Sequence, residues 1–241
     1  PRVSESAARR EAVLYPDAYT NHALVDRGKA AVETLEALGV RVRVPEIPES
    51  GRAPLSQGMV STAERRAKAV AAALAPHLDA GRDVVAVEPS DLAMFRDDYE
   101  RLLAPEMAAR VSTNSYELFE DVYGLLENGA PLDALDGGDD RLALHTHCQQ
   151  RTLGLDGYTV DVLSRLGYDV TTSSAECCGM AGSFGYKADY YELSVAVGED
   201  LRAELDGEGR VVASGTSCLE QLDALLDGPV DHPIEVVAPG V

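Results

Sequence analysis

An offset of 128 residues lines up two parts of this chain without a gap. Ala31-Val-Glu-Thr-Leu-Glu-Ala-Leu-Gly-Val-Arg-Val42 falls on Thr159-Val-Asp-Val-Leu-Ser-Arg-Leu-Gly-Tyr-Asp-Val170. In each copy an apolar residue recurs every third position (Val32, Leu35, Leu38; Val160, Leu163, Leu166), which predicts an amphipathic helix. Gly39 and Gly167 then supply the left-handed residue that ends it. A short β-like stretch follows; in the first copy Val40, Val42 and Val44 alternate with arginines. The same offset sets Glu49-Ser50-Gly51 on Cys177-Cys178-Gly179. With one residue of drift, Val84 to Asp91 falls on Val211 to Cys218; before the helix, with two, Leu14 to Ala18 falls on Leu144 to Cys148. The period is too long for a solenoid, so this is an internal duplication.

Each copy reads as strand, loop, helix, strand, loop, helix, strand, loop. Val84 to Val87 and Val211 to Ala213 suit buried parallel strands, and Ser61 to Leu78 and Tyr190 to Leu205 carry helical patterns. Alternating β and α implies parallel sheets with right-handed crossovers. The expected class is therefore α/β, with two pseudo-symmetric lobes, each a small parallel sheet flanked by helices. The first repeat is expected over 1–126, ending in a helical stretch, Tyr116 to Leu126. A Gly-, Asp- and Pro-rich linker over 127–140 leads into the second repeat, 141–241.

Charge narrows the partners. Asp plus Glu number 41 against 21 Lys plus Arg, a net charge of −20, and only Lys29, Lys68 and Lys187 are lysines. Such a surface repels phosphate backbones and anionic lipid, which excludes nucleic acid as a first choice. The acid is spread along the whole chain, as expected of a halophilic protein in a salty cytoplasm. The longest alanine-rich apolar run, Ala69 to Ala75, is seven residues, against roughly twenty for a membrane span. The start, Pro-Arg-Val-Ser-Glu-Ser, lacks Met and the apolar core of a signal peptide, and reads as an internal boundary of a longer protein. The expected location is cytoplasmic, or peripheral to the membrane through a partner.

Four cysteines, Cys148, the pair Cys177-Cys178, and Cys218, are too few for a disulfide framework, and adjacent cysteines bridge only with strain. All four fall on loops that follow strands of the second repeat. In an open parallel sheet such loops meet at one rim, where ligands bind. Three readings stand: small buried apolar residues, a closed zinc site, or an iron–sulfur cluster. Packing alone does not confine cysteines to strand-end loops, and zinc sites commonly show Cys-x-x-Cys knuckles that are absent here. A cluster, several ångströms wide, takes its sulfurs from well-separated loops and is favoured.

Together, His145-Thr-His-Cys-Gln-Gln150, Cys177-Cys-Gly-Met-Ala-Gly-Ser-Phe-Gly-Tyr186, Gly215-Thr-Ser-Cys-Leu-Glu-Gln221 and His232-Pro-Ile-Glu-Val-Val237 resemble the signature stretches of the cysteine-rich, or CCG, domain. That domain occurs in the cysteine-rich subunit of heterodisulfide reductase and in the iron–sulfur subunits of glycolate oxidase and glycerol-3-phosphate dehydrogenase. The likeness is closest to the C-terminal region of FAD-linked 2-hydroxyacid (D-lactate or glycolate) dehydrogenases. The resemblance implies an electron-transfer module with Cys148, Cys177, Cys178 and Cys218 as ligands of one [4Fe-4S] cluster, zinc being a possible substitute. It also implies FAD on a separate domain or subunit, and a downstream electron carrier or quinone. No catalytic residue is expected here, since the hydride chemistry belongs to the flavin. Two departures bear on this. The first repeat has Ala18, Glu49-Ser50 and Asp91 where the family often has cysteines, so one cluster is expected, not two. Gly215 stands where family members with a noncubane cluster have a fifth cysteine, which favours an ordinary cubane over a heterodisulfide-reductase-like catalytic cluster.

Around the cysteines, Gly179, Gly182 and Gly185 would let backbone N–H groups approach cluster sulfides, or would simply form a turn before a helix. His145 and His147 flank Cys148, with His147 the candidate contact to the cofactor. The plainer reading is strand-end histidines satisfied by backbone. Tyr186, Tyr190 and Tyr191 read as core and rim packing, and Glu49 and Asp91 as a remnant tolerated at the surface.

Overall fold

The computed structural model describes residues 3–240. The chain divides into two compact units: residues up to Leu135 together with those from Ala238 onward, and Asp136–Val237. Within the second, Asp136 N–H donates to Val237 O at 3.0 Å and closes the unit on itself.

In the first unit, β1 (Arg10–Leu14), β2 (Val40–Arg43), β3 (Asp83–Ala86) and β4 (Ser115–Glu117) form a parallel sheet of order β2-β1-β3-β4. Between them run α1 (Val25–Ala37), α2 (Arg52–Ser56), α3 (Val60–Asp79), α4 (Pro89–Ala93), α5 (Tyr99–Leu102) and α6 (Pro105–Thr113), and α7 (Leu118–Glu127) follows. Ala63, Ala67, Val70, Ala71 and Leu74 recur at helical spacing on α3 and pack against Val13 and Val84 of the sheet. Tyr15, Phe95 and Tyr99 close the C-terminal end of this core, with ring centroids 5.0 and 5.4 Å apart.

The second unit repeats the plan. The strands β5 (Arg141–His145), β6 (Asp169–Thr172), β7 (Arg210–Ala213) and β8 (Val230–Asp231) are parallel in the order β6-β5-β7-β8, the same permutation as the first sheet. Its helices are α8 (Cys148–Thr152), α9 (Asp156–Arg165), α10 (Tyr191–Leu205), α11 (Thr216–Leu225) and α12 (Pro233–Val237). Gly39 after α1 and Gly167 after α9 have φ of +86° and +100°, as the duplication requires. The core here includes Cys178 and Cys218 beside Met180, Leu201, Val211 and Leu222.

The α/β class and the two flanked parallel sheets are as expected, but each sheet has four strands rather than three. β4 has three residues and β8 has two, too short for an apolar run to register in sequence. Tyr116, expected at the start of a helix, lies in β4. The helix begins at Leu118, where the Glu117 carboxylate accepts the N–H groups of Phe119 and Glu120 in a capping box. No helix among the described residues is long and apolar enough to cross a membrane.

Candidate metal centre

Sheet order decides where the thiols go. β5 lies between β6 and β7, so the loops leaving the C-terminal ends of these three strands are neighbours. Cys148 follows β5 and opens α8; Cys177 and Cys178 lie in the loop after β6; Cys218 lies in the first turn of α11, after β7. All four are free thiols, with Cys178 and Cys218 buried and Cys148 and Cys177 half-buried. Each thiol feels its neighbours: Cys177 and Cys178 perturb each other, Cys218 perturbs Cys178, and the charge of Cys177 perturbs Cys148.

The electrostatics suit bound thiolates poorly in the chain alone. Burial, then the neighbouring Cys177, pushes the Cys148 thiol up. The hydrogen bond with Cys178, then burial, pushes Cys177 well above the ordinary thiol range. For Cys178 the Cys177 contact pulls down, but the Cys218 contact and burial outweigh it and lift the thiol to about 12. One donor already faces sulfur: Gly179 N–H points at Cys177 Sγ, 3.4 Å away. Gly179 holds φ +92°, and a Cβ there would stand 2.2 Å from Ser194 O of α10, so no other residue fits this turn.

Among the described residues, no three His, Cys, Asp or Glu side chains form a grouping that could hold a single metal ion. One zinc needs its sulfurs about 2.3 Å from a common point. A cluster distributes its thiolates over separate irons and can take them from separate loops.

The histidines hold the rim together. His147 caps α8, its Nδ1 accepting Gln149 N–H at 3.1 Å. Its own N–H donates to Ser214 Oγ at 2.9 Å, and Ser214 Oγ donates to Gln150 Oε1 at 2.5 Å. The His147 ring also lies against Gly215, where a Cβ would come within 2.2 Å of Cδ2. His145 Nδ1 is 2.8 Å from Ser173 Oγ, and burial, then Arg151, drops its imidazole to about 3. Gly182 sits at the exposed tip of the turn after Cys178, with open space around its Cα. Ser214 and Arg151, which donates to Ala175 O at 2.5 Å, carry no sequence signal of this role; only the β5–β7 register, His145 opposite Ala213, places Ser214 beside the ligand turn.

The first unit has the same rim with other chemistry. Gly51 holds φ +93°, matching Gly179, and Ser50 Oγ hydrogen-bonds Asp91 Oδ1 where Cys178 meets Cys218. Tyr99 Oη donates to Ser50 O and Tyr15 Oη to Pro48 O, both at 2.9 Å. Glu49 is exposed and faces Arg66 at 3.3 Å, as a surface remnant should. Asp91 departs from that expectation in part: it is half-buried, Ser50 Oγ bonds it, and burial lifts its carboxyl to about 8 against that bond's opposing pull. The tyrosines bring a second correction. Tyr186, Tyr190 and Tyr191 are all exposed, because α10 turns Ser194, Gly198, Leu201 and Leu205 inward instead.

No family model matches the chain. It is 28% identical over 232 residues to the D-2-hydroxyglutarate dehydrogenase of Pseudomonas putida, covering 95% of this chain and 22% of the relative. To a subunit of the anaerobic glycerol-3-phosphate dehydrogenase of Escherichia coli K12 it is 24% identical over 234 residues, 95% of this chain and 58% of the relative. To lactate utilization protein A of Bacillus velezensis it is 29% identical over 218 residues, covering 83% and 85%. The chain thus spans about a fifth of the first relative and somewhat over half of the second.

Proposed function

We propose that this chain is the iron–sulfur electron-transfer module of a dehydrogenase that oxidises a small 2-hydroxy acid, and that its second unit is a cluster-binding CCG domain. The observation that carries this reading is that Cys148, Cys177, Cys178 and Cys218 all follow the C-terminal ends of the adjacent strands β5, β6 and β7, while the matching rim of the first unit holds no thiol. The relatives support the dehydrogenase setting: two are dehydrogenases or their subunits, and one is a lactate utilization protein. The small share of the D-2-hydroxyglutarate dehydrogenase that is matched supports a partner domain or subunit, which on this reading carries FAD and takes the hydride.

Bound by the four thiolates, a [4Fe-4S] cluster supplies one-electron transfer. The chain's own residues do the rest. Gly179 N–H, aimed at Cys177 Sγ, offsets negative charge on that ligand and favours the reduced state. His147 fixes the α8 turn and so the approach of Cys148. Its ring against Gly215 occupies the space a fifth thiol would need, which favours a four-ligand cubane over a heterodisulfide-reductase-like catalytic cluster.

The test is iron, sulfide and zinc content of anaerobically purified protein, with an optical spectrum before and after dithionite. About four irons and four sulfides per chain, with a band that bleaches on reduction, are expected. Each of Cys148→Ser, Cys177→Ser, Cys178→Ser and Cys218→Ser should lower iron occupancy. Full occupancy in all four, or one zinc and no iron in the wild type, would overturn the assignment.

A further inference from the structure

Among the described residues of the second unit, one buried side-chain nitrogen or oxygen has no hydrogen-bond partner: His145 Nε2. The residue has no exposed surface, and its other nitrogen, Nδ1, meets Ser173 Oγ at 2.8 Å. Neither nitrogen meets backbone, so the plainer expectation for this histidine fails. Protein interiors leave few such atoms unpaired, because the hydration lost on burial is then never replaced.

Strand register says what the ring faces. β5 pairs with β7 so that Ala143 stands beside Val211 and His145 beside Ala213. Alternate residues of a strand share a face, so these four side chains lie on one side of the sheet. On that side Ala143, Val211 and Ala213 pack with Cys178 and Cys218. His145 is therefore on the cysteine side, nearer the C-terminal rim than Ala143. Ser173, which meets Nδ1, opens the loop that carries Cys177 and Cys178. The Arg151 charge acts on His145, Cys148 and Cys177 alike, which sets the ring in the neighbourhood of those two thiols as well.

We propose that His145 Nε2–H is a donor reserved for the cysteine centre, hydrogen-bonding a sulfur of the bound cluster and holding its reduction potential up. This rests on the iron–sulfur function proposed above. The neighbours place the proton. Burial and then Arg151 keep the ring neutral, with one N–H. The Ser173 hydroxyl donates to Nδ1, which leaves that proton on Nε2, and the sulfurs of a cluster are negatively charged acceptors. A donor aimed at them stabilises the added electron. The role falls to His145 and not to His147, whose ring is taken up by the α8 cap and the wall beside Gly215.

The test uses the native full-length polypeptide, purified without air and carrying isotope-labelled histidine. Pulsed EPR of the dithionite-reduced wild type should detect a weakly coupled histidine nitrogen with an exchangeable proton. That measurement needs no variant, and absence of the coupling overturns the inference. His145→Leu removes the donor, whereas His145→Gln keeps an N–H at similar reach. At the potential where half the wild-type cluster is reduced, the reduced-to-oxidised ratio should be lower by about threefold or more in His145→Leu, and closer to the wild type in His145→Gln. An unchanged ratio in iron-loaded His145→Leu would mean that a buried water serves Nε2, and would overturn the inference while the cluster stands. Should His145→Leu lose its iron, the wild-type coupling decides. An iron-free wild type overturns both readings, so iron content tells the two failures apart.

Discussion

Gly215 is the residue whose smallness matters most at the cysteine rim. The His147 ring fills the space beside it, and that ring also caps α8. Gly215→Cys therefore does not add a ligand; it displaces the cap. Overpacking and cap loss each cost about 1–2 kcal/mol, so anaerobic melts should record a destabilisation on the order of 2 kcal/mol and, on the proposed function, a fall in iron content. A stable variant with undiminished iron would contradict this account. At the matching rim of the first unit, Asp91 yields a prediction in pH. Its carboxyl lies at about 8 in the fold against 3.8 when free, so between those values the folded chain holds a proton that the unfolded chain has released. The stability this confers is complete below about 4 and lost as pH rises through about 8, by at most ~1.4 kcal/mol per pH unit. Asp17, itself raised by burial, and Glu88 push Asp91 up, and Arg52 opposes them. Unfolding midpoints of the wild type should fall from pH 6 to 9 more steeply than those of Asp91→Asn; parallel curves would refute the assignment.

At the scale of elements, what can be read from the sequence follows from periodicity. The three-residue recurrence around Val32 and Val160 locates α1 and α9, and the apolar runs locate β3 and β7, because those patterns are what burial on one face selects. β4 and β8 stay hidden because two or three residues carry no period. Tyr186, Tyr190 and Tyr191 read as packing in the sequence because spacing reveals that apolar residues recur, not whether their own chain covers them. Cysteine positions are legible because strand-end loops share a rim whatever the details. The hydroxyl that fastens the rim is not, since it depends on side-chain reach. Ser214 Oγ links the end of β7 to the β5–α8 turn through His147 N–H and Gln150 Oε1. Ser214→Ala would leave both groups buried without that partner, at a cost of about 1–3 kcal/mol, detectable as earlier hydrogen exchange across α8.

For the molecule as a whole, the charge of −20 and the repeated sheet lead to separate expectations. Repulsion among carboxylates is screened by salt, so melting temperature should climb between about 0.1 and 2 M KCl, most steeply at the low end where the Debye length exceeds roughly 8 Å. A flat response would rule out charge repulsion as a force on this fold. The two units also differ in what holds their rims: sulfur in one, a Ser50–Asp91 hydrogen bond under Tyr99 in the other. On the proposed function, removing iron with a chelator should loosen Asp136–Val237 and leave the first unit's sheet protected in hydrogen exchange. That pairing of oxygen for sulfur carries a consequence for engineering. The first unit keeps the backbone of a cysteine rim, down to matching φ values at Gly51 and Gly179, while its contacts are ordinary polar chemistry that oxygen in air does not attack. It is thus a natural air-stable control for its sibling: a scaffold of the same topology into which thiols can be returned one position at a time, at Ala18, Glu49, Ser50 and Asp91, to learn how many are needed before a rim begins to gather iron.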